Sequence, residues 1–158
     1  GIGTCWLGSI ANKKKKIKKI VSFGKNLEPV IIIAFGYPEE DLIPVENRKR
    51  KKLQNIFKGK MEKRYISIAK ALQAAPSGLN SQPWRVIIND NEWNYYIKPK
   101  HGILEKIYDK MNKIDAGIGL SHILAEGTKA GYVINFKRSK IVNEIKDLEY
   151  IMTISFGR

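Results

Sequence analysis

Hydrophobic and polar positions along this chain follow two different periods. Residues 61–75 place Tyr65, Ile68, Ala69 and Leu72 on one face at helical spacing and predict an amphipathic helix. Residues 84–89 and 92–98 change to strand-like runs joined at Asp90-Asn91, which predicts a β-hairpin. Residues 114–129 return to the helical period, with Ile114, Gly117, Ile118, Ser121 and Ala125 along one face and Leu120, Ile123 and Leu124 beside it. Gly117 and Gly119 lower helix propensity there and point to close approach by another backbone. A short helix over 103–112 precedes this one, and Gly131 ends it. Strands follow at 132–136 and 150–156, with a helical turn over 140–146 between them.

The first third of the chain reads differently. Residues 1–11 form a loop, and 12–21 a short helix capped by Asn12, with Ile17, Ile20 and Val21 inward and the lysines in solvent until Gly24. The β-branched run Val30-Ile31-Ile32-Ile33-Ala34-Phe35 predicts a central strand buried on both faces, broken by Gly36-Tyr37-Pro38. Residues 39–60 are polar and read as a long surface loop carrying Arg48-Lys49-Arg50-Lys51-Lys52. This basic cluster has two readings, an ordinary solvated loop or guanidinium groups placed for a phosphate. Helices and strands are mixed without regular βαβ alternation, so the class is α+β.

Between the helix over 61–75 and the hairpin lies Pro76-Ser77-Gly78-Leu79-Asn80-Ser81-Gln82-Pro83. Two prolines fix φ and restrict the residues before them, and Gly78 permits a backbone path closed to other residues. Ser77, Asn80 and Gln82 set hydrogen-bonding groups between those fixed points. The loop is either a rigid connector or the wall of a site for a planar, polar ligand.

The sequence has 158 residues with 43% hydrophobic positions, enough for one domain with a real core. Its single cysteine, Cys5, excludes an intrachain disulfide and makes a cytoplasmic setting the default. No apolar run approaches the ~20 residues of a membrane helix, and no signal peptide is visible. The net charge of +14 admits nucleic acid, an anionic surface or phosphorylated ligands. The lysines are dispersed apart from one run, which favours a solvated surface around a local anion site. The chain opens on Gly1-Ile2-Gly3-Thr4-Cys5-Trp6 without methionine, as though a helix had just ended, so the natural N-terminus is expected to lie upstream.

No GxxxxGK[ST], GxGxxG, CxxC or HExxH pattern occurs. His101 has no carboxylate or second histidine near it in sequence. His122 stands seven residues after Asp115, and a structural histidine is the better reading than a proton shuttle. Asp115 suits the first turn of its helix. No acid/base pair or activated nucleophile assembles, so an enzyme built on this chain would draw its chemistry from a cofactor.

Four stretches together resemble the FMN-dependent nitroreductase family: Gly1-Ile2-Gly3-Thr4-Cys5-Trp6-Leu7-Gly8, Ile33-Ala34-Phe35-Gly36-Tyr37-Pro38, Ala75-Pro76-Ser77-Gly78-Leu79-Asn80-Ser81-Gln82-Pro83-Trp84 and Asp115-Ala116-Gly117-Ile118-Gly119-Leu120-Ser121-His122. Their order is rearranged relative to ordinary members and resembles the putative TM nitroreductase subfamily, in which one chain holds two rearranged halves. The Arg-x-Ser-x-Arg segment with which members begin is absent. The resemblance implies an α+β, nitroreductase-like fold: a mixed, mainly antiparallel sheet packed with helices, as one domain over 1–158.

It also implies FMN between the two halves. Pro76, Ser77, Gly78 and Asn80 would touch the flavin from one side, Leu7 and Gly8 would present backbone from the other, and Arg48 and Arg50 would face the phosphate. The implied activity is passage of hydride from NAD(P)H to a nitroaromatic or quinone-like small-molecule acceptor, by a monomer or homodimer without nucleic acid or membrane. No catalytic side chain and no metal ligand is implied. A catalytically silent flavin or anion binder is the alternative, and a basic nucleic-acid-binding module the third reading.

Overall fold

The structure, a computed structural model, describes residues 2–7, 13–99, 105–139 and 144–157. The chain divides into two compact units, Gly1–Asn47 and Arg48–Arg158.

In the first unit β1 (Gly3–Leu7) pairs antiparallel with β2 (Ile32–Gly36), with Cys5 opposite Ala34. The run over 30–35 is therefore no central strand buried on both faces. It is half of a two-stranded ribbon, exposed along its length, with Phe35 at 79%. β-Branched composition records a preference for the extended chain, whereas burial needs a second layer, which the described residues of this unit do not supply. Helix α1 (Lys14–Ile20) follows Lys13, which makes no side-chain cap, and it stops at Val21, short of Gly24. Asn12, the expected cap, lies outside the described residues.

The second unit is built on a five-stranded sheet of order β3-β4-β5-β7-β6. The hairpin forms as the alternation predicts. Strands β4 (Trp84–Asn89) and β5 (Glu92–Ile97) pair from Trp84 opposite Ile97 to Asn89 opposite Glu92. Asp90 takes φ 51° in the turn, a conformation that aspartate tolerates better than most residues. β7 (Glu149–Gly157) lies antiparallel to β5, with a register shift between Tyr95 and Tyr96, and β6 (Val133–Lys137) closes that edge.

At the opposite edge β3 (Phe57–Lys58) pairs with β4 in parallel, which makes the sheet mixed but mainly antiparallel. Residues 39–60 are accordingly not one surface loop. They contain α2 (Leu53–Ile56) and β3, and Ile56 and Phe57 are buried because Leu53, Ile56 and Phe57 supply an apolar corner between charged runs.

Two helices pack on the sheet. A 3₁₀ turn at Lys63–Tyr65 leads into α3 (Ile66–Ala74), which buries Ile68, Ala69 and Leu72 as its period requires. The two helices expected over 103–112 and 114–129 are one, α4 (Glu105–Lys129). The small residues of α4 do allow close approach, but only at particular positions. A Cβ on Gly119 would stand 2.4 Å from Tyr95 Oη and 2.9 Å from Leu72 Cδ1, and one on Gly127 2.5 Å from Ile134 Cδ1. Gly117 faces open space. Gly131, at φ 83°, supplies the left-handed residue after the helix. Between sheet and helices Trp84, Val86, Trp93, Tyr95, Ile123 and Ile154 form the centre of the core. The expected turn over 140–146 lies largely outside the described residues, as does His101.

Candidate functional site

The loop from Pro76 to Pro83 joins α3 to β4 beside α4, and its backbone is strained. Leu79, Asn80 and Gln82 have φ of 52°, 52° and 47°, left-handed values that cost residues such as Leu79 and Gln82 about 1–2 kcal/mol each and asparagine less. Gly78 is not among them, and a Cβ there would meet only the flexible end of Met111, at 2.6 Å from Cε. Such strain persists only where surrounding contacts over-determine the backbone.

Those contacts come from two sides. On the α4 side, Asp115 is 4% exposed, and its carboxylate accepts the Gly78 N–H at 2.9 and 3.1 Å and the Ser81 hydroxyl at 3.4 Å. On the other side, the segment Lys49–Lys51 reaches across. The Lys51 N–H donates to Gln82 Oε1 at 2.6 Å, and Lys51 Nζ donates to the carbonyls of Ser81 and Gln82 at 2.6 and 2.9 Å. Asn80 Nδ2 donates to the Lys49 carbonyl at 3.0 Å. Within the loop, the Gln82 N–H donates to Ser77 Oγ at 2.8 Å and Gln82 Nε2 to Asn80 Oδ1 at 3.0 Å. Gln82 is itself buried, so its amide acts as an internal rivet.

Arg50 is largely committed to this clasp. Its Nε and Nη2 donate to the Ala74 carbonyl at 3.2 and 3.1 Å, and Nη1 donates to the Lys49 carbonyl and Asn80 Oδ1 at 3.0 and 3.1 Å. Of the five N–H donors of a guanidinium, one on Nη2 remains. All these acceptors are neutral, and among the described residues Arg50 pairs with no carboxylate. Burial first, and then the Arg48 charge, depress its pKa. Arg85 donates to the Gln82 carbonyl at 3.2 Å and is depressed by burial as well. Cations thus surround the loop on this side.

The groups on α4 respond to the same environment. Burial raises the Asp115 carboxyl, while the Gly78 and Ser81 hydrogen bonds pull it back down. Burial raises the Tyr95 hydroxyl, with Asp115 adding to it, and that hydroxyl donates to the Ala116 carbonyl at 3.2 Å. His122 is half-buried, and its pKa is lowered by burial first and by the Arg50 charge second.

The structure brings Pro76, Ser77, Gly78, Asn80 and Arg50 together, with Arg48 close enough to Arg50 to influence its titration. Leu7 ends β1 in the first unit, 40% exposed. Gly8 lies outside the described residues. Asp115, Gln82 and Lys51 complete the clasp and were not among the expected site residues. Asp115 suits the first turn of a helix in the sequence and opens one of the family-like stretches, yet it stands in the interior of a helix that begins ten residues earlier, at Glu105. Buried carboxylates need partners, but sequence does not name the Gly78 amide. Donors still open in the loop are the Ser77 hydroxyl and one N–H of Asn80 Nδ2. Together with the remaining Arg50 N–H they form a donor-rich, cationic surface that suits a polar, anionic ligand. Among the described residues no cluster of His, Cys, Asp and Glu could hold a metal ion, and no helix is long and apolar enough to cross a membrane.

Over its full length the fold resembles the crystal structure of a putative nitroreductase from Thermotoga maritima, with a TM-score of 0.59 and 23% sequence identity. The match covers 99% of this chain and 55% of the other, so the chain spans about half the length of that relative. No curated protein sequence matched. The family model described as "Putative TM nitroreductase" matches residues 1–126, and these include both the Pro76–Pro83 loop and Asp115. The chain belongs to the putative TM nitroreductase family.

Proposed function

We propose that this chain is the flavin-binding part of an oxidoreductase that uses FMN to pass reducing equivalents from NAD(P)H to nitroaromatic or quinone-like acceptors. The observation that carries this reading is the strained loop at Leu79, Asn80 and Gln82, fixed by Asp115 on one side and by Arg50 and Lys51 on the other. Strain maintained by a buried clasp holds donors in place before a ligand arrives, which lowers the ordering cost of binding.

FMN, when bound, supplies the two-electron chemistry. The chain's own residues bind and orient. The Ser77 hydroxyl and the open Asn80 amide N–H suit the carbonyl and hydroxyl oxygens of a flavin. Arg50 and Arg48 suit its phosphate, Arg50 chiefly by charge because most of its N–H groups are engaged. Asp115 holds the Gly78 amide and keeps the loop in register. No side chain here need act as general acid, since solvent can protonate a reduced product.

The test is direct. Purified protein mixed with FMN should quench flavin fluorescence, and the complex should oxidise NADH or NADPH when a quinone or nitroaromatic is added. Failure to bind FMN would sink the reading, while binding without turnover would leave the silent flavin binder in its place.

A further inference from the structure

We propose that α1 docks on the surface of an anionic lipid bilayer, with Ile17 and Ile20 against the acyl chains and Lys13 and Lys16 on the headgroups. The helix calls for a partner outside the fold. It is seven residues long, buries none of them and has no side-chain cap. Isolated helices shorter than about 12–15 residues are marginal in water, and Lys15 and Lys19, one turn apart, repel each other. Over residues 13–38 seven lysines accompany a single acid, Glu28, which pairs with Lys14 at 2.7 Å and lies 3.9 Å from Lys18. Lys13, Lys15, Lys16 and Lys19 make no ion pair among the described residues. A polyanionic surface relieves their repulsion and completes the helix.

The apolar positions identify which polyanion. A helix that only bathes in water, or only grips phosphates, has no use for exposed isoleucine. Yet Ile20 is 82% exposed, and Val21, Phe23 and Leu27 are exposed after it. At 3.6 residues per turn Ile17 and Ile20 share one side of α1. Lys13 and Lys16 stand one turn before them and flank that side, while Lys15 and Lys19 stand on the opposite one. An apolar stripe edged by free lysines matches the two layers of a lipid interface, acyl chains for the isoleucines and phosphate headgroups for the ammonium groups. Nucleic-acid bases would be met by stacking aromatic side chains, and α1 has none. The helix lies on the bilayer and does not cross it. The inference is independent of the flavin reading.

Co-sedimentation of the full chain with phosphatidylglycerol or phosphatidylcholine vesicles, at about 0.1 M salt, tests it. The chain should bind phosphatidylglycerol and not pure phosphatidylcholine, and its helical circular dichroism should rise on binding. Lys13→Gln with Lys16→Gln removes two headgroup contacts and should weaken binding about thirtyfold. Lys15→Gln with Lys19→Gln, on the side turned away, should weaken it about threefold or less. Ile20→Ser should weaken it at least about tenfold. Thermal unfolding of each variant should match the parent, because none of these side chains is buried in the fold. No binding to phosphatidylglycerol overturns the proposal. So does an equal loss from the two lysine pairs with no effect of Ile20→Ser, which marks general attraction to polyanions. A single-stranded oligonucleotide bound more tightly than the vesicles would assign the lysines to nucleic acid and overturn it as well.

Discussion

Gly117 and Gly119 offer a paired test of how α4 is seated, because one substitution has opposite consequences two residues apart. In Gly117→Ala the new methyl enters open space, so only helix propensity changes and the variant gains up to about 1 kcal/mol. Gly119→Ala earns the same propensity term, but its methyl meets Tyr95 Oη at 2.4 Å, Leu72 Cδ1 at 2.9 Å and Trp84 Cε3 at 3.3 Å. All three neighbours are fully buried, so none can swing aside into solvent. Overpacking of this kind costs about 1–3 kcal/mol. Moving the Tyr95 hydroxyl off the Ala116 carbonyl strands a buried polar group, for about 1–3 kcal/mol more. The net loss is about 1–5 kcal/mol. Urea denaturation followed by tryptophan fluorescence reports it, since Trp84 and Trp93 are buried in this core. A Gly119→Ala protein as stable as the parent would show that α4 does not approach the sheet as closely as described.

Other outcomes follow from the clasp. Because burial raises the Asp115 carboxyl in the folded state, the native chain binds a proton more tightly there than the unfolded chain does. Stability from this group should therefore fall as pH rises from the ordinary carboxylate value of 3.8 through the raised one, and Asp115→Asn should flatten that part of the pH–stability profile. Gln82→Ala removes the acceptor of the Lys51 N–H and a donor to Asn80, and should lose about 1–3 kcal/mol in the same urea assay. Ser77→Ala removes only the acceptor of the Gln82 N–H from the fold, about 1 kcal/mol. If the Ser77 hydroxyl also binds flavin, FMN affinity measured by fluorescence should drop on top of that loss.

What the sequence disclosed follows from how local each signal is. The hairpin was legible because Trp84, Val86 and Ile88 alternate with less buried residues and the turn at Asp90-Asn91 stands between matched runs. The α3 face was legible because Ile68, Ala69 and Leu72 repeat at helical spacing. Residues 30–35 were misjudged because β-branched side chains favour an extended backbone wherever it lies, while burial depends on a covering layer that no run of six residues encodes. The site was half legible. Pro76, Ser77, Gly78 and Asn80 announced a constrained polar loop, but Asp115 and Lys51 reach it across 37 and 31 residues of sequence. Left-handed backbone at Leu79 and Gln82 leaves no mark, since neither residue type advertises a positive φ.

That strain makes Asn80 the most informative position in the loop. Asparagine is the residue other than glycine that best tolerates φ near 50°, so Asn80→Gly relieves only a few tenths of a kcal/mol of backbone strain. The same change removes the amide that donates to the Lys49 carbonyl and accepts from Arg50 and Gln82. Three hydrogen bonds at a partly solvated site contribute about 0.5 kcal/mol each, the low end of the usual range. A fold that used the loop only as a connector should lose about 1 kcal/mol and nothing else. A loop held rigid for a ligand should lose that and also its ordered donors, so FMN affinity should fall at least tenfold, with weaker binding seen mainly as faster release in stopped-flow fluorescence. Loss of stability with unchanged FMN affinity would assign the clasp to the fold alone.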